Sequence, residues 1–428
     1  MSPLSLTVTQ LEYNGLTRAL DHAAGLLQRI DPAFARIEVG AILDAARRQT
    51  GLDDFGDDDF LEPMHRIIEE VPLERFTDLA RVVMRSTFVE AAKNRLRVQD
   101  YVRRHPEVLD IPVERPVFVL GFPRSGTTIL QNLLSRDTTR RSLRFWELTH
   151  PVPVHPDPDV DAQRRIRTAR RILRLAYLVA PEMRVVHEVR ATSPEECWPL
   201  FESHFSVLNF DLQSGAVGYG DWLAGRDMRP AYAWYRRQLQ ILQHRRPRRQ
   251  LVLKCPEHLW FLDALLEVFP DASIVWTHRD PYDSVASYCS LISLNWRMLY
   301  GRIEPLAIGA HITHRFASGV DAAMRARDRM GASDRIHDVD FRALVKDPAG
   351  VVHDISERFG LRWDDDPDEV VRSVLRDRRK DKRGAHRYDG AFYGLEHEAL
   401  YDRFGEYVDR FGIPVQGAEP TLPRAAEA

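Results

Sequence analysis

Lysine is nearly missing from this chain. Of its 60 basic residues only five are lysine (Lys93, Lys254, Lys346, Lys380 and Lys382) and the remainder are arginine. A lysine kept beside a candidate site is therefore worth marking, because a compact ammonium does what a planar guanidinium does not. Cysteine is equally scarce. Cys197, Cys255 and Cys289 show neither pairing nor metal-ligand spacing, which excludes a disulfide framework and points to a reducing compartment. No apolar run approaches the ~20 residues that a membrane-spanning helix needs. Met1–Gln10 has no basic start and no long apolar stretch, so no leader is expected and the location is read as cytoplasmic. Neither sign of charge prevails: the formal net charge is −3, which gives no electrostatic reason for a nucleic-acid partner.

What the 428 residues do contain is a patterned α/β sequence. The length suits one large domain with additions. The expected organisation is a helical N-terminal extension over 1–112, an α/β domain over 113–412 and a flexible tail over 413–428. In the extension, apolar residues recur at helical spacing in Leu16, Leu20, Ala23 and Leu27, then in Ile37, Ile42 and Ala45. Gly51–Asp57 is a turn, and Asp57–Asp59 are candidate caps for the next helix. A metal site in this acidic run is the less favoured alternative.

The domain opens on Pro116-Val117-Phe118-Val119-Leu120-Gly121-Phe122-Pro123-Arg124-Ser125-Gly126-Thr127-Thr128. A buried strand runs into a tight loop, and Ile129, Leu130, Leu133 and Leu134 continue at helical spacing. Backbone N–H groups of such a loop, with the positive end of the helix dipole, form an anion cradle. Gly121-x4-Gly126 matches a nucleotide-binding P-loop only up to its second glycine. The lysine that should follow is absent, and Arg124 is a cation inside the loop instead.

Further candidates follow in order. Glu147 lies between Trp146 and Leu148, where partial loss of hydration suits a general base; a salt-bridged structural carboxylate is the plainer alternative. A basic helix covers 161–180, read as a solvated face, with membrane-surface contact possible but not favoured. Ser193-Pro194-Glu195-Glu196 reads as a helix start with its acids in the first turn. His187 and Glu188 are the reserve bases. Leu251–Leu253 lead to Lys254 at a strand end, where a nucleotide hydrolase would hold its metal-binding acid; a cation there suits an anionic group and no metal. The segment 201–235 is rich in aromatics and reads as an acceptor pocket, a core or a lid. Ser273–Thr277 is another buried strand, followed by Arg279-Asp280-Pro281 and a helix. Arg279 can grip a phosphate in bidentate fashion, and Ser287, eight residues on, faces the same side of that helix.

The loop Phe122–Thr128 resembles the 5′-phosphosulfate loop of the sulfotransferases, in the arginine version of the bacterial and tyrosylprotein branches. With Arg279 and Ser287 at the right distance beyond it, the resemblance extends over most of residues 15–412. It implies a P-loop-like α/β fold with a mostly parallel sheet flanked by helices, strands near 117, 251, 274 and 336, and ligands at the strands' carboxyl ends. It also implies sulfuryl transfer from 3′-phosphoadenosine 5′-phosphosulfate (PAPS) to a hydroxyl of a small-molecule or lipid acceptor, with adenosine 3′,5′-bisphosphate (PAP) as product and no metal. On this resemblance Pro123, Arg124, Ser125, Gly126, Thr127 and Thr128 hold the phosphosulfate, and Arg279 and Ser287 hold the 3′-phosphate. Phe341 stands where relatives carry tyrosine and stacks on adenine. Lys382 and Arg383, in the basic run 378–388, close over the nucleotide. Arg124, Lys254 and Glu147 are the expected catalytic residues, and a homo-oligomer is possible. The alternatives are a P-loop kinase or nucleotide hydrolase, which would need a lysine and a metal-holding acid that the motifs lack, or a nucleotide-binding protein without turnover.

Overall fold

The computed structural model describes residues 14–380 and 389–415. At its centre is an all-parallel sheet of β1 (Val117–Gly121), β2 (Arg140–Arg141), β3 (Gln250–Lys254), β4 (Ser273–His278) and β5 (Ile336–Asp340), in the order β2-β3-β1-β4-β5. Four strands fall where the apolar runs predict them. The fifth, β2, has no strand signature; two arginines pair with Gln250 and Leu251 because the chain passes that edge.

Strand alternation sorts the core by size. On one face Phe118, Leu120, Leu251, Leu253, Ile274 and Trp276 join the large cluster that spans most of the molecule. On the other, Val117, Val119, Val252, Val275 and Val339 pack on Leu130, Leu133, Leu134 and Ile355. Burial on both faces is what a parallel sheet covered by helices requires, and it explains why these strands read as continuous apolar runs.

The N-terminal region forms α1 (Gly15–Ile30), α2 (Val39–Thr50), α3 (Leu61–Glu70) and α4 (Asp78–Arg104). Gly51, left-handed at φ 71°, ends α2 as the turn reading expects. The acids do not cap through their side chains. Asp57 precedes a short 3-10 turn with no side-chain bond, and Asp59 points inward to Arg95 (2.9 Å) and His204 (3.1 Å). Phe88 of α4 packs edge-on against Phe210 at 5.4 Å, so the core of these helices runs into that of the sheet domain.

Two helical expectations fail instructively. In α1 the repeating leucines are not the buried face; Thr17 and Ala24 are, while Leu16, Leu20 and Leu27 are exposed. Polar bonds set this rotation: Asp21 accepts from Leu79 N–H (2.8 Å) and Gln28 donates to the Asp78 carbonyl (2.9 Å), drawing the polar side onto the start of α4. Ser193 caps no helix: it closes a turn in which its N–H bonds to Arg190 O (3.1 Å), and residues 194–196 run on outside any helix. Glu195 N–H bonds to Leu143 O and Cys197 N–H to Lys254 O, so the backbone is spent on neighbouring chain. Helix begins only at Pro199.

Candidate active site

All five strands run parallel, so their carboxyl ends lie on one edge. Gly121 stands opposite Thr277, Val119 opposite Lys254, and His278 opposite Asp340. The residues that follow β1, β3, β4 and β5 therefore converge on a cleft of about 930 Å³.

The loop after β1 is locked from below. Gly121 has φ 138°, and a Cβ there would lie 2.2 Å from Thr277 Oγ1, so a side chain has no room. Ser125 Oγ donates to Phe122 O (2.5 Å) and meets Thr277 Oγ1 at 2.6 Å. The buried Ser125 hydroxyl is thus spent inside the loop and does not line the cleft. Arg124 is left-handed at φ 72° and Gly126 at φ 93°. These turns bring Pro123, Arg124, Gly126, Thr127 and Thr128 to the cleft at the start of α5 (Thr127–Leu134), where the first N–H groups of a helix have no internal partner. A Cβ on Gly126 would meet Leu344 at 2.8 Å and Phe341 at 3.1 Å, so the loop also needs glycine where it passes the segment after β5.

The second motif closes on the first. Arg279 donates through Nη1 to the Arg124 carbonyl (2.7 Å) and through Nη2 to Asp283 (3.0 Å), with its guanidinium 4.5 Å from the centre of the Phe341 ring. Arg124 Nε donates to Ser287 Oγ at 3.3 Å. The phosphate loop, Arg279, Ser287 and Phe341 therefore form one connected group, although more than 200 residues separate its ends. Lys346 lines the same cleft. Lys382 and Arg383 lie outside the described residues.

On the opposite wall the extended segment delivers what the helix-start expectation had put aside. Glu195 and Glu196 both line the cleft. Glu196 Oε1 accepts from Lys254 Nζ at 2.7 Å, and Glu195 faces His187 Nε2 at 3.6 Å. Lys254 is buried behind Glu196 and does not itself line the cleft. Burial opposes its charge, but Glu196 and Glu195 outweigh that and hold its pKa above the ordinary lysine value. His187 follows the same logic: burial favours the neutral ring, yet Glu195 and then Glu196 raise its pKa above the usual histidine value. Glu257, also on the wall, is pushed up to about 8 by burial, while its two oxygens accept the N–H groups of Leu208 (2.9 Å) and Asn209 (2.8 Å).

Glu147 is not among the cleft residues. It sits in the short helix α6 (Phe145–Thr149), buried, with Oε1 on Arg141 (2.6 Å) and Arg246 (3.2 Å) and Oε2 on the Arg144 N–H (2.9 Å). That geometry is the salt-bridged structural carboxylate of the plainer alternative, away from the cleft wall. Flanking Trp146 and Leu148 do desolvate it, but two guanidiniums and a cap hold both its oxygens. Glu188, the other reserve base, pairs with Arg190 at 3.2 Å and is likewise absent from the cleft wall. The available signal for Glu195 and Glu196 was composition: two adjacent acids need a partner, and one of the chain's five lysines ends the apolar strand at 254.

Residues 116–365 match the model described as the sulfotransferase family, more than half the chain. The chain belongs to the sulfotransferase family. It is an enzyme of the PAPS-dependent kind, and its fold agrees with solved relatives. Sulfotransferase STF9 from Mycobacterium avium is 31% identical with a TM-score of 0.79, covering 90% of this chain and 99% of that one. Sulfotransferase STF1 from Mycobacterium tuberculosis H37Rv is 30% identical with a TM-score of 0.76, covering 86% and 98%. A curated relative from Mycobacterium bovis, omega-hydroxy-beta-dihydromenaquinone-9 sulfotransferase Stf3, is 23% identical over 322 residues, 73% of this sulfotransferase and 78% of the relative.

Proposed function

We propose that this enzyme transfers the sulfuryl group of PAPS to a hydroxyl of a lipophilic small molecule or lipid, with His187 as the general base in place of Glu147. One observation carries this: the phosphate loop, Arg279, the His187–Glu195 pair and an apolar wall of Met183, Trp198, Leu212 and Leu291 open into a single cleft.

The residues present suit the donor. Loop N–H groups at the start of α5, with Arg124, fit a 5′-phosphosulfate. Arg279 lines the cleft and fits a 3′-phosphate, a role for the buried Ser287 rests on the family resemblance, and the Phe341 face fits adenine. A role for Lys382 and Arg383 rests on the family resemblance. When bound, PAPS supplies a sulfuryl group activated by its link to phosphate. With Nε2–H turned to Glu195, the neutral His187 ring keeps Nδ1 to accept the acceptor's hydroxyl proton. Lys254, kept charged by Glu196, supplies positive potential at this end of the cleft where negative charge develops. The apolar wall orients a lipophilic acceptor and excludes water. The related Stf3 is named for a hydroxylated dihydromenaquinone, which accords with such an acceptor.

The test is calorimetric binding of adenosine 3′,5′-bisphosphate without metal, against ATP with Mg²⁺, on the wild type and Arg279→Ala. It is followed by transfer of labelled sulfate from PAPS to detergent-solubilised long-chain alcohols, hydroxylated quinols and simple phenols. Tight bisphosphate binding lost in Arg279→Ala, with transfer to the lipophilic alcohols or quinols, is the expected result. ATP–Mg²⁺ binding indifferent to Arg279, or transfer confined to small polar acceptors, overturns it.

A further inference from the structure

The start of α1 meets the last turn of the basic helix α7 (Pro158–Val179). The α1 N-terminus is bonded to the α7 C-terminus: Thr17 Oγ1 donates to Val179 O at 3.0 Å and Asn14 Nδ2 to the same carbonyl at 3.3 Å. From Arg164 to Val179 there are six arginines and no acidic residue. Arg165 is buried against Asp161, and the other five are exposed. Just beyond the last of them, Arg174, the helix exposes Leu175 (65%) and Leu178 (56%), and α1 adds its exposed Leu16, Leu20 and Leu27. The nearby acids are engaged: Asp21 with the Leu79 N–H and Glu182 with Arg297. This end is also wired to the active site. Tyr177, one residue from Leu178, bonds both backbone groups of Val189 at 2.7 Å, and Val189 lines the cleft, as does Met183 just past the helix.

We propose that the α7 C-terminus and the α1 leucine stripe dock on the surface of an anionic lipid bilayer, setting the cleft beside the membrane from which the acceptor is taken. Exposed leucines directly following exposed arginines, with no acid on the stretch, form the pattern of a helix that lies in an interface: apolar side chains enter the acyl boundary while guanidiniums reach anionic headgroups. No helix of the described residues is long and apolar enough to cross a membrane, so the contact is peripheral. The benefit to catalysis rests on the lipophilic-acceptor reading above; the docking itself does not.

Co-sedimentation of the full chain with phosphatidylglycerol–phosphatidylcholine vesicles, against phosphatidylcholine alone, tests it without turnover. Binding to the anionic vesicles only, falling as salt rises, is expected. Leu175→Asp/Leu178→Asp and, separately, Arg171→Glu/Arg174→Glu should each lower partitioning by at least about tenfold, on the scale of a few contacts of this type. Calorimetric binding of adenosine 3′,5′-bisphosphate should stay at the wild-type value, showing that the fold and nucleotide site are intact. Absence of vesicle binding at low salt, or binding that neither pair alters, overturns the proposal. So does a wild-type dimer that Leu175→Asp/Leu178→Asp converts to monomers, since the face would then belong to a second copy. Vesicle binding by an enzyme that sulfates only small polar acceptors would instead sink the acceptor assignment and leave docking standing.

Discussion

Lys254 Nζ stands 2.7 Å from Glu196 Oε1, with the lysine buried and the carboxylate on the cleft wall. The pair is a candidate charge reservoir at the reacting end of the site. Lys254→Met should lower kcat by about 10²-fold, the scale of one lost oxyanion donor. Glu196→Gln keeps the ammonium and should cost less than tenfold, on the same scale. The double variant should match Lys254→Met alone, because both act through one group. Additive losses in this cycle would assign Glu196 a separate task.

Glu147 is expected to matter for folding and little for turnover. Its carboxylate bridges Arg141 and Arg246, which are themselves only partly exposed. Glu147→Gln leaves two guanidiniums short of a partner and should destabilise by roughly 2 kcal/mol, below the figure for a fully buried pair because solvent screens the arginines. Denaturant melts should show this loss, while kcat of the folded enzyme stays within a few-fold. Abolished turnover in a variant that melts like the wild type would restore Glu147 as the base.

The pH profile separates the same candidates. A base must be neutral to accept a proton, and His187 has its pKa raised above the ordinary 6.5 by Glu195 and Glu196 against the pull of burial. The kcat/KM should therefore rise with pH through a value above 6.5 and then level off. His187→Gln should remove both the activity and that limb. Glu195→Gln, which withdraws the raising partner, should shift the limb toward lower pH. A profile flat from pH 6 to 9 would exclude His187.

One buried histidine should work against the fold as the pH falls below neutral. His258 is buried, its Nδ1 bonds to Tyr232 OH at 2.8 Å, and burial lowers its pKa from 6.5 to about 3. The unfolded chain takes up a proton near pH 6.5 and the folded one does not. The contribution of His258 to stability is therefore full above that value and is lost as pH drops toward 3, opposite in sign to that of Glu257, whose raised pKa favours the fold on acidification. Integrated from 7.5 to 5, this one group costs about 2 kcal/mol. Urea melts at the two pH values measure it, and His258→Phe should shrink the difference by about that amount. An unchanged difference would place the loss elsewhere.

The sheet was legible because buried parallel strands leave unbroken apolar runs, and the phosphate loop because its glycines answer to local backbone geometry. Arg279 and Ser287 were legible for the same reason: one strand end and one helix set their relative position. What stayed hidden depends on chain from elsewhere. The Glu195–Glu196 segment has a good helix-start sequence, yet the carbonyls of Leu143 and Lys254 take its N–H groups. Glu147 has the local surroundings of a base, but one of its oxygens is taken by Arg246, 99 residues on. The leucines of α1 have core periodicity, and only the bonds to Asp21 and Asp78 show which face turns inward.

The hydroxyl contact between Ser125 and Thr277 has a consequence for inheritance. It clasps the loop after β1 to the strand that carries Arg279, beneath a glycine that leaves room for nothing larger. The two halves of the proposed nucleotide site are thus not interchangeable modules. A chimera that exchanges the loop between relatives without position 277 would break the clasp, and grafts should succeed only when both sides travel together.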